Sequence, residues 1–148
     1  MKNTRNSRLI IADSGYWVAL GNPDDRHHLR AMEVFKTLQE MPITTWPVVT
    51  EVCHLLERRA GFAAQQAFIR ALENGASRLL PLELSHLPRI QRLMHQYRDL
   101  PMDLADASLV ILAEELGHGR ILSTDERDFH AYRWKNHEPF DNRLLRYD

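Results

Sequence analysis

Three acidic residues, Asp13, Asp106 and Asp125, stand where an apolar run ends or a helical pattern begins, and a fourth, Glu51, lies within a helical pattern. Asp13 directly follows the apolar residues 9–12, and Thr124 and Asp125 directly follow residues 121–123. If both runs are parallel strands, their carboxyl ends bring the two acids to one edge of a sheet, where open α/β sheets bind ligands. Mg²⁺ and Mn²⁺ prefer oxygen ligands, so the pattern favours a site for a hard divalent cation.

Each of these acids also has an ordinary structural explanation. Asp is a favoured helix N-cap, so Asp13 or Asp125 taken alone is explained by the helix that follows it. Glu51 lies at the edge of an apolar helical stripe, and its i−4 and i+4 neighbours are Pro47 and Leu55. No helical ion pair therefore satisfies it, although a partly buried carboxylate needs a partner. A distant arginine and a metal ion explain Glu51 equally well.

Two further acids, Asp103 and Asp128, extend this set. Asp103 and Asp106 stand three residues apart at a predicted helix start, which favours an N-cap with a capping box. Acids in a first turn also suit the helix dipole. The same spacing puts both carboxylates on one helix face, where both could point at one ion. Asp128 follows Asp125 by three residues, and a solvated surface acid explains it nearly as well.

Other chemistries lack their sequence patterns. The eight His residues have no zinc-binding spacing, and the chain has no P-loop, G-x-S-x-G or G-x-G-x-x-G motif. The only cysteine, Cys53, excludes an intramolecular disulfide and suits a reducing compartment. The net charge of −1 gives no nucleic-acid signature. The excess of Arg over Lys suits phosphate binding, although codon bias also explains it.

The length of 148 residues fits a single domain, residues 1–148. A hydrophobic fraction of 44% and a charged fraction of 26% are typical of a globular protein. No apolar run is long enough to cross a membrane, and the polar, basic N-terminus makes a poor signal peptide. We therefore expect a cytoplasmic protein.

Short apolar runs alternate with longer helical patterns along the chain. The predicted strands are residues 9–12, 43–45, 79–82 and 121–123, with residues 131–134 as a fifth. The predicted helices are residues 14–20, 26–39, 47–61, 62–74, 85–97 and 104–117, and the tail 135–148 is predicted to be mostly irregular. Strands separated by helices favour parallel pairing with helices on both faces, so the predicted fold class is α/β.

Four segments carry the acids in a recognisable order. They are Asp13 and Ser14 after the first strand, Thr50-Glu51-Val52 in a helix, Pro-Met-Asp-Leu-Ala-Asp-Ala-Ser-Leu-Val at residues 101–110, and Ser-Thr-Asp-Glu-Arg-Asp-Phe at residues 123–129. The last two segments are specific in combination. In this order, and over nearly the whole chain, the sequence resembles the PIN-domain family and, within it, the VapC-like toxins of bacterial toxin–antitoxin pairs.

The resemblance implies a three-layer α/β/α fold with a central, mainly parallel sheet of five strands. It also implies a ribonuclease that depends on Mg²⁺ or Mn²⁺, acts on RNA, forms a homodimer and has a cognate antitoxin. The family's metal site matches Asp13, Glu51, Asp106 and Asp125. Asp103 and Asp128 match positions that are acidic in many members, and Ser14 and Thr124 match small hydroxyl positions that support the site.

The mechanism implied by the resemblance is metal-assisted hydrolysis of RNA phosphodiester bonds. In this hypothesis Asp13 and Asp106 hold the principal ion, and Asp125 binds it directly or through water. Glu51 helps with a second ion or orients the attacking water. Five arginines are candidates to bind RNA phosphates, although each is also explained as a solvated surface residue. They are Arg58, Arg59, Arg98, Arg127 and Arg133.

Other assignments stay open at this point. A PIN-like nuclease could act in RNA processing without an antitoxin, or a binding module could keep the fold without the catalysis, although the intact acids argue against the second. A phosphatase of the haloacid-dehalogenase type would need a second Asp where this chain has Gly15. A phospho-acceptor receiver domain would need a lysine after a late strand, where this chain has Asp125.

Overall fold

A parallel sheet of five strands forms the centre of the protein. A computed structural model describes the backbone of residues 4–145 and, except at residues 4, 5 and 126, their side chains. The strands in chain order are β1 (Leu9–Ala12), β2 (Met41–Thr45), β3 (Arg78–Leu80), β4 (Arg120–Leu122), β5 (Arg133–Trp134), β6 (Glu138–Pro139) and β7 (Asp141–Asn142). The central sheet has the order β3-β2-β1-β4-β7, with every neighbouring pair parallel.

Eight helices are described along the same chain, and they flank this sheet. They are α1 (Thr4–Ser7), α2 (Ser14–Gly21), α3 (His28–Thr37), α4 (Trp46–Ala60), α5 (Phe62–Glu73), α6 (Leu87–Gln96), α7 (Leu104–Leu116) and α8 (Glu126–Ala131). The predicted α/β fold with a five-stranded, parallel central sheet is confirmed. Among residues 4–145, no helix combines the length and hydropathy that crossing a bilayer requires.

The core lies around β1 and α7. All four residues of β1 are buried, because this strand is central in the sheet and helices cover it. Helix α7 carries an unbroken buried run at residues 107–113 and packs against β1, β2, α4 and α6. Such a helix is apolar all round because it has neighbours on every side. The start of α7 is therefore held rigidly beside the carboxyl end of β1.

The predicted fifth strand over residues 131–134 is confirmed only at Arg133–Trp134, and it does not belong to the central sheet. Ala131 ends α8, and β5 pairs antiparallel with β6 in a separate two-stranded sheet. The central sheet is completed instead by β7, whose Asp141 and Asn142 pair with Arg120 and Ile121 of β4. The two residues of β7 are polar, so no apolar run marks this strand in the sequence. The tail predicted to be irregular thus contains β6 and β7, and its residues 146–148 lie outside the described residues.

Two other predicted boundaries also shift. Strand β3 ends at Leu80 rather than continuing to residue 82, because Pro81 has no N–H to donate to a neighbouring strand. The helix predicted from residue 85 begins with a separate 3₁₀ turn, Leu84–His86, before α6. Glu83 caps this turn through the backbone N–H of His86. Both differences lie far in the chain from the predicted acids.

A buried pair of hydroxyl groups connects β2 to α7. Ser108 Oγ donates to Ala105 O at 2.6 Å, so Thr45 Oγ1 donates to Ser108 Oγ, also at 2.6 Å. We expect Ser108→Ala to lower the free energy of unfolding by about 1–3 kcal/mol, because it leaves the buried Thr45 hydroxyl without a partner. Urea denaturation measures this loss.

The matched control is the double variant Thr45→Val with Ser108→Ala. Both residues are fully buried, and the double variant removes donor and acceptor together, so we expect it to recover most of the lost stability. Equal stability of the wild type and the single variant would contradict this account of the contact.

Candidate metal centre

The eight residues predicted for the site all line one cavity of about 370 Å³. It lies where β1 and β4 end and where α2, α7 and α8 begin, beside α4. The lining includes all of the predicted residues: Asp13, Ser14, Glu51, Asp103, Asp106, Thr124, Asp125 and Asp128. The structure therefore brings together the six predicted carboxylates, which span the chain from Asp13 to Asp128.

Asp13 is held at the end of β1 by hydrogen bonds to both carboxylate oxygens. Its backbone N–H continues the pairing with β4 by donating to Leu122 O at 3.0 Å. Oδ1 accepts from the backbone N–H of Ser14 at 2.7 Å, so Asp13 is the N-cap of α2. Oδ2 accepts from Ser123 Oγ at 2.9 Å. The buried carboxylate thus has a fixed position at the bottom of the cavity.

Ser123 is a site residue that the sequence analysis missed. Its hydroxyl donates to Asp13 and also accepts from the backbone N–H of Asp125 at 3.0 Å. One fully buried hydroxyl therefore joins the acid after β1 to the acid after β4. The available signal was its position next to Thr124 and Asp125. The same position is explained equally well as the end of the apolar run 121–123.

Asp103 and Asp106 form the predicted capping box at the start of α7. The backbone N–H of Asp106 donates to Asp103 Oδ1 at 2.8 Å, and the backbone N–H of Asp103 lies 3.4 Å from Asp106 Oδ2. Both side chains nevertheless line the cavity. The capping explanation and the site explanation therefore apply to the same two residues.

Asp125 caps α8 in the same manner, with its Oδ1 accepting from the backbone N–H of Asp128 at 3.0 Å. Asp128 pairs with Arg127 at 3.2 Å between Oδ1 and Nε. Asp128 is thus the member of the cluster that forms an ion pair with an arginine. Asp125, like Asp13, is the N-cap of the helix that follows it.

Glu51 lies on α4, with its half-buried side chain in the cavity. Among residues 4–145, no arginine, lysine or histidine forms an ion pair with Glu51, Asp13 or Asp106. The distant arginine that the sequence left open for Glu51 is therefore not its partner within the described chain. A cluster of carboxylates with so few cations carries a strong local negative charge.

Three carboxylates of the cluster have strongly raised pKa values. The pKa of Asp13 is raised to about 6, that of Glu51 to about 7 and that of Asp106 to about 8. Burial is the largest cause in each case, because it disfavours the charged form. Repulsion adds to it, from Asp125 at Asp13 and from Asp103 and Asp13 at the other two. Burial also raises the pKa of Asp125.

The donor set fits a hard divalent cation, because it consists of carboxylate oxygens that repel one another. In their present positions, no three acidic, histidine or cysteine side chains of the described residues form a complete group that could hold an ion. Asp13, Asp106 and Asp125 are engaged with backbone and hydroxyl donors instead.

The predicted phosphate-binding arginines divide into two groups. Arg59 and Arg127 line the cavity, and the Arg127 side chain is 78% exposed. Arg98 and Arg133 instead donate to backbone carbonyl oxygens at the ends of α6 and α8, where a cation suits the helix dipole. Arg58 lies in the last turn of α4 and is not part of the cavity wall.

Gly15 allows the turn after β1 to touch the turn after β4. A Cβ at Gly15 would lie 1.8 Å from Thr124 Oγ1 and 3.0 Å from Thr124 Cβ. Rotation of the hydroxyl relieves the first contact but not the second. We expect Gly15→Ala to lower the free energy of unfolding by about 1–3 kcal/mol, because the two turns must move apart. Thermal denaturation checks this expectation.

Gly21→Ala is the matched control for this substitution. Gly21 ends the same helix, α2, and a Cβ there would meet only the flexible end of Leu56 at 3.0 Å. We expect a smaller loss of stability for this variant. Equal losses for the two variants would contradict the importance of the contact between Gly15 and Thr124.

Comparison with known proteins identifies the family of this chain. A family model described as PIN domain matches residues 10–135. Ribonuclease VapC26 of Mycobacterium tuberculosis is 27% identical over 124 residues, covering 84% of this chain and 92% of that protein. The crystal structure of VapC20 of Mycobacterium tuberculosis, a Sarcin-Ricin loop cleaving toxin, superposes with a TM-score of 0.74 at 20% identity, covering 80% of this chain and 91% of that chain. The chain therefore belongs to the PIN domain family.

Proposed function

We propose that this protein is a metal-dependent endoribonuclease that hydrolyses RNA phosphodiester bonds, and that it is the toxin of a toxin–antitoxin pair. The observation that carries the proposal is the cavity lined by the six predicted carboxylates and by Asp25. Asp13, Glu51 and Asp106 have no ion-pair partner there among the described residues. Membership of the PIN domain family and the likeness to ribonuclease VapC26 support the same activity.

The proposed cofactor is Mg²⁺ or Mn²⁺. Asp13 and Asp106 would hold it, Asp125 would bind it directly or through water, and Asp103 and Asp128 would stand at the margin of the site. When bound, such an ion activates a water molecule and neutralises the charge that develops on the phosphate. Carboxylate ligands suit both ions, so the donor set does not favour one over the other.

The residues of the chain prepare the site for this chemistry. Ser14 and Ser123 fix the two oxygens of Asp13, so the ligand is ordered before substrate binds. Glu51 would orient the attacking water or help to bind a second ion.

Arg59 and Arg127 are the proposed contacts to RNA phosphates. Both lie on the cavity wall. Arg127 pairs with Asp128, and its guanidinium also donates to Leu100 O at 3.4 Å. Without cations, a cluster of six acids would repel the negatively charged backbone of RNA. Two arginines at the rim would offset this repulsion and position a phosphate above the carboxylates.

RNA cleavage by the purified full chain tests the proposed activity. We expect cleavage of a labelled single-stranded RNA in Mg²⁺ or Mn²⁺, loss of cleavage with excess chelator, and recovery when the ion is added back. A DNA strand of the same sequence serves as the control substrate. Cleavage of RNA that continues unchanged in excess chelator would contradict the proposal, because no protein side chain is proposed to replace the ion.

The proposed partners are RNA, a cognate antitoxin and a second copy of the chain. An RNA substrate implies a cytoplasmic location. Exposed apolar side chains on α3 and α4 support a protein-binding surface, since Leu29 is 82% exposed, Phe35 58% and Trp46 60%. Light scattering coupled to gel filtration tests the homodimer, for which we expect twice the mass of the chain, and a single-chain mass at all concentrations would contradict it.

Expression in bacteria tests the toxin assignment. We expect induced wild-type protein to arrest growth, Asp13→Asn to permit growth, and a co-expressed antitoxin that binds the purified toxin to restore growth. Equal arrest by the wild type and Asp13→Asn would contradict toxicity through RNA cleavage.

A further inference from the structure

Tyr132 is a fully buried tyrosine whose hydroxyl reaches the acid cluster. Its ring packs edge-on against Tyr97 and Phe129, with ring centroids 5.0 Å and 5.2 Å away. The hydroxyl donates to Asp106 Oδ2 at 3.2 Å. A buried phenol needs a polar partner, and here that partner is one of the predicted metal ligands. Nothing in the sequence pattern marked this residue.

The hydrogen bonds to Asp106 fall on one side of its carboxylate. Tyr132 Oη and the backbone N–H of Asp103 both donate to Oδ2, at 3.2 Å and 3.4 Å. No donor in the described part of the chain bonds to Oδ1. Two donors on one oxygen restrict rotation of the carboxylate and leave the other oxygen for an external ligand.

Helix α8 connects this contact to Asp125. Asp125 caps the first turn of α8, and the backbone N–H of Tyr132 bonds Asp128 O at 2.8 Å just after its last turn. Phe129 on the same helix is buried and packs on both Tyr132 and Phe140. The aromatic contacts hold α8 in place, and this helix carries Asp125 at its start and Tyr132 at its end.

From these contacts we propose that Tyr132 is a positioning residue whose hydroxyl orients the Asp106 carboxylate for a divalent cation. The inference rests on the proposed function, because it requires a cation at Asp106. A ligand that is already oriented loses less freedom when the ion binds. Tyr132 therefore acts on the affinity for the ion, and the chemical step is unaffected once the ion is bound.

Tyr132→Phe tests this role, because it removes the hydroxyl and keeps the ring. The measurement is the dissociation constant of Mn²⁺ for the metal-free full chain, obtained by calorimetry. We expect Mn²⁺ to bind about 10–100-fold more weakly, the loss typical of a partner of a metal ligand. We also expect the midpoint of thermal unfolding without metal to stay within about 5 °C of the wild type. Saturating Mn²⁺ should restore the kcat of RNA cleavage.

Tyr97→Phe is the matched control. Tyr97 belongs to the same aromatic group, but its hydroxyl accepts from the backbone N–H of Arg133 at 3.1 Å and contacts no acid of the cluster. We expect this variant to bind Mn²⁺ like the wild type. Asp106→Asn, which removes the proposed ligand itself, should bind Mn²⁺ more weakly than Tyr132→Phe.

The outcomes separate this inference from the proposed function. If Tyr132→Phe binds Mn²⁺ as tightly as the wild type while Asp106→Asn binds it weakly, the role of Tyr132 is overturned and the metal site stands. If Tyr97→Phe weakens Mn²⁺ binding as much as Tyr132→Phe, aromatic packing is responsible and the role of the hydroxyl is overturned. If the wild type does not bind Mn²⁺, the proposed function itself is overturned.

Discussion

Asp13→Asn is expected to reduce the rate of RNA cleavage at least about a hundred-fold while leaving the protein folded, a loss in the range seen when one charge-stabilising group is removed from an active site. Asparagine has the size of aspartate and can still accept from the backbone N–H of Ser14, so the cap of α2 is kept. The substitution removes the negative charge that a divalent cation would need from its most deeply buried ligand. Single-turnover cleavage at saturating Mn²⁺ measures the loss, and circular dichroism confirms folding.

Asp24→Asn is the matched control for this experiment. Asp24 is an exposed acid in the loop after α2, and it is not part of the cavity wall. The two variants change the net charge equally, so a difference in their cleavage rates reflects the position of the lost carboxylate. Cleavage by Asp13→Asn within about ten-fold of the wild type, a difference of about 1.4 kcal/mol in activation free energy, would contradict the assignment of Asp13. A loss in Asp24→Asn as large as that in Asp13→Asn would contradict it as well.

The metal-free protein is expected to become more stable as pH falls from 8 to 5. The pKa values of Asp13, Glu51 and Asp106 are about 6, 7 and 8 in the folded protein, all above those of free carboxyl groups. Between these limits the folded state holds more protons than the unfolded state. Stability is therefore greatest when these groups are protonated and falls as pH rises through their folded pKa values.

Mn²⁺ is expected to remove most of this pH dependence. An ion that binds only the folded state stabilises it, and it does so most at pH 8, where protons compete least for the carboxylates. Urea denaturation from pH 5 to pH 8, with chelator or with Mn²⁺, measures both effects. An equal Mn²⁺ effect at pH 5 and pH 8 would contradict binding through carboxylates with raised pKa values.

Asp106→Asn is the control that separates the cluster from other titrating groups. Titrating groups outside the cluster are the same in the wild type and in the variant, so their contribution cancels in the comparison. Because asparagine has no charge to repel its neighbours, we expect this variant to exceed the wild type in stability at pH 8 in chelator and to depend less on pH. Lower stability of the variant under those conditions would contradict a raised pKa of Asp106 in the metal-free protein.

The parts of the fold that could be predicted are those with a strong apolar pattern. Strand β1 and helix α7 are nearly continuous apolar runs, and both are central in the core. Strand β7 could not be predicted, because it has only two residues and both are polar. Its position depends on hydrogen bonds to residues that are distant in the sequence. The backbone N–H of Asp141 donates to Gly119 O, and the side chain of Asn142 bonds both backbone groups of Ser123.

The acids of the candidate site could be located from the sequence because strand ends and helix starts are local features. Their supporting residues could not, since those contacts join distant segments. Ser123 lies 110 positions from Asp13 in the chain, and Tyr132 lies 26 positions from Asp106. A serine at a strand end and a tyrosine after a short helix have no pattern that indicates a partner. The partner of the Glu51 carboxylate could not be predicted for the same reason, because only the tertiary structure decides whether an arginine reaches it.

Anomalous scattering from crystals of the wild-type protein grown with Mn²⁺ tests the central claim most directly. The account predicts a manganese ion bound by the carboxylates of Asp13 and Asp106, with Asp125 bound to it directly or through a water molecule. A manganese ion bound without Asp13 and Asp106, in a protein that cleaves RNA with Mn²⁺, would contradict the account.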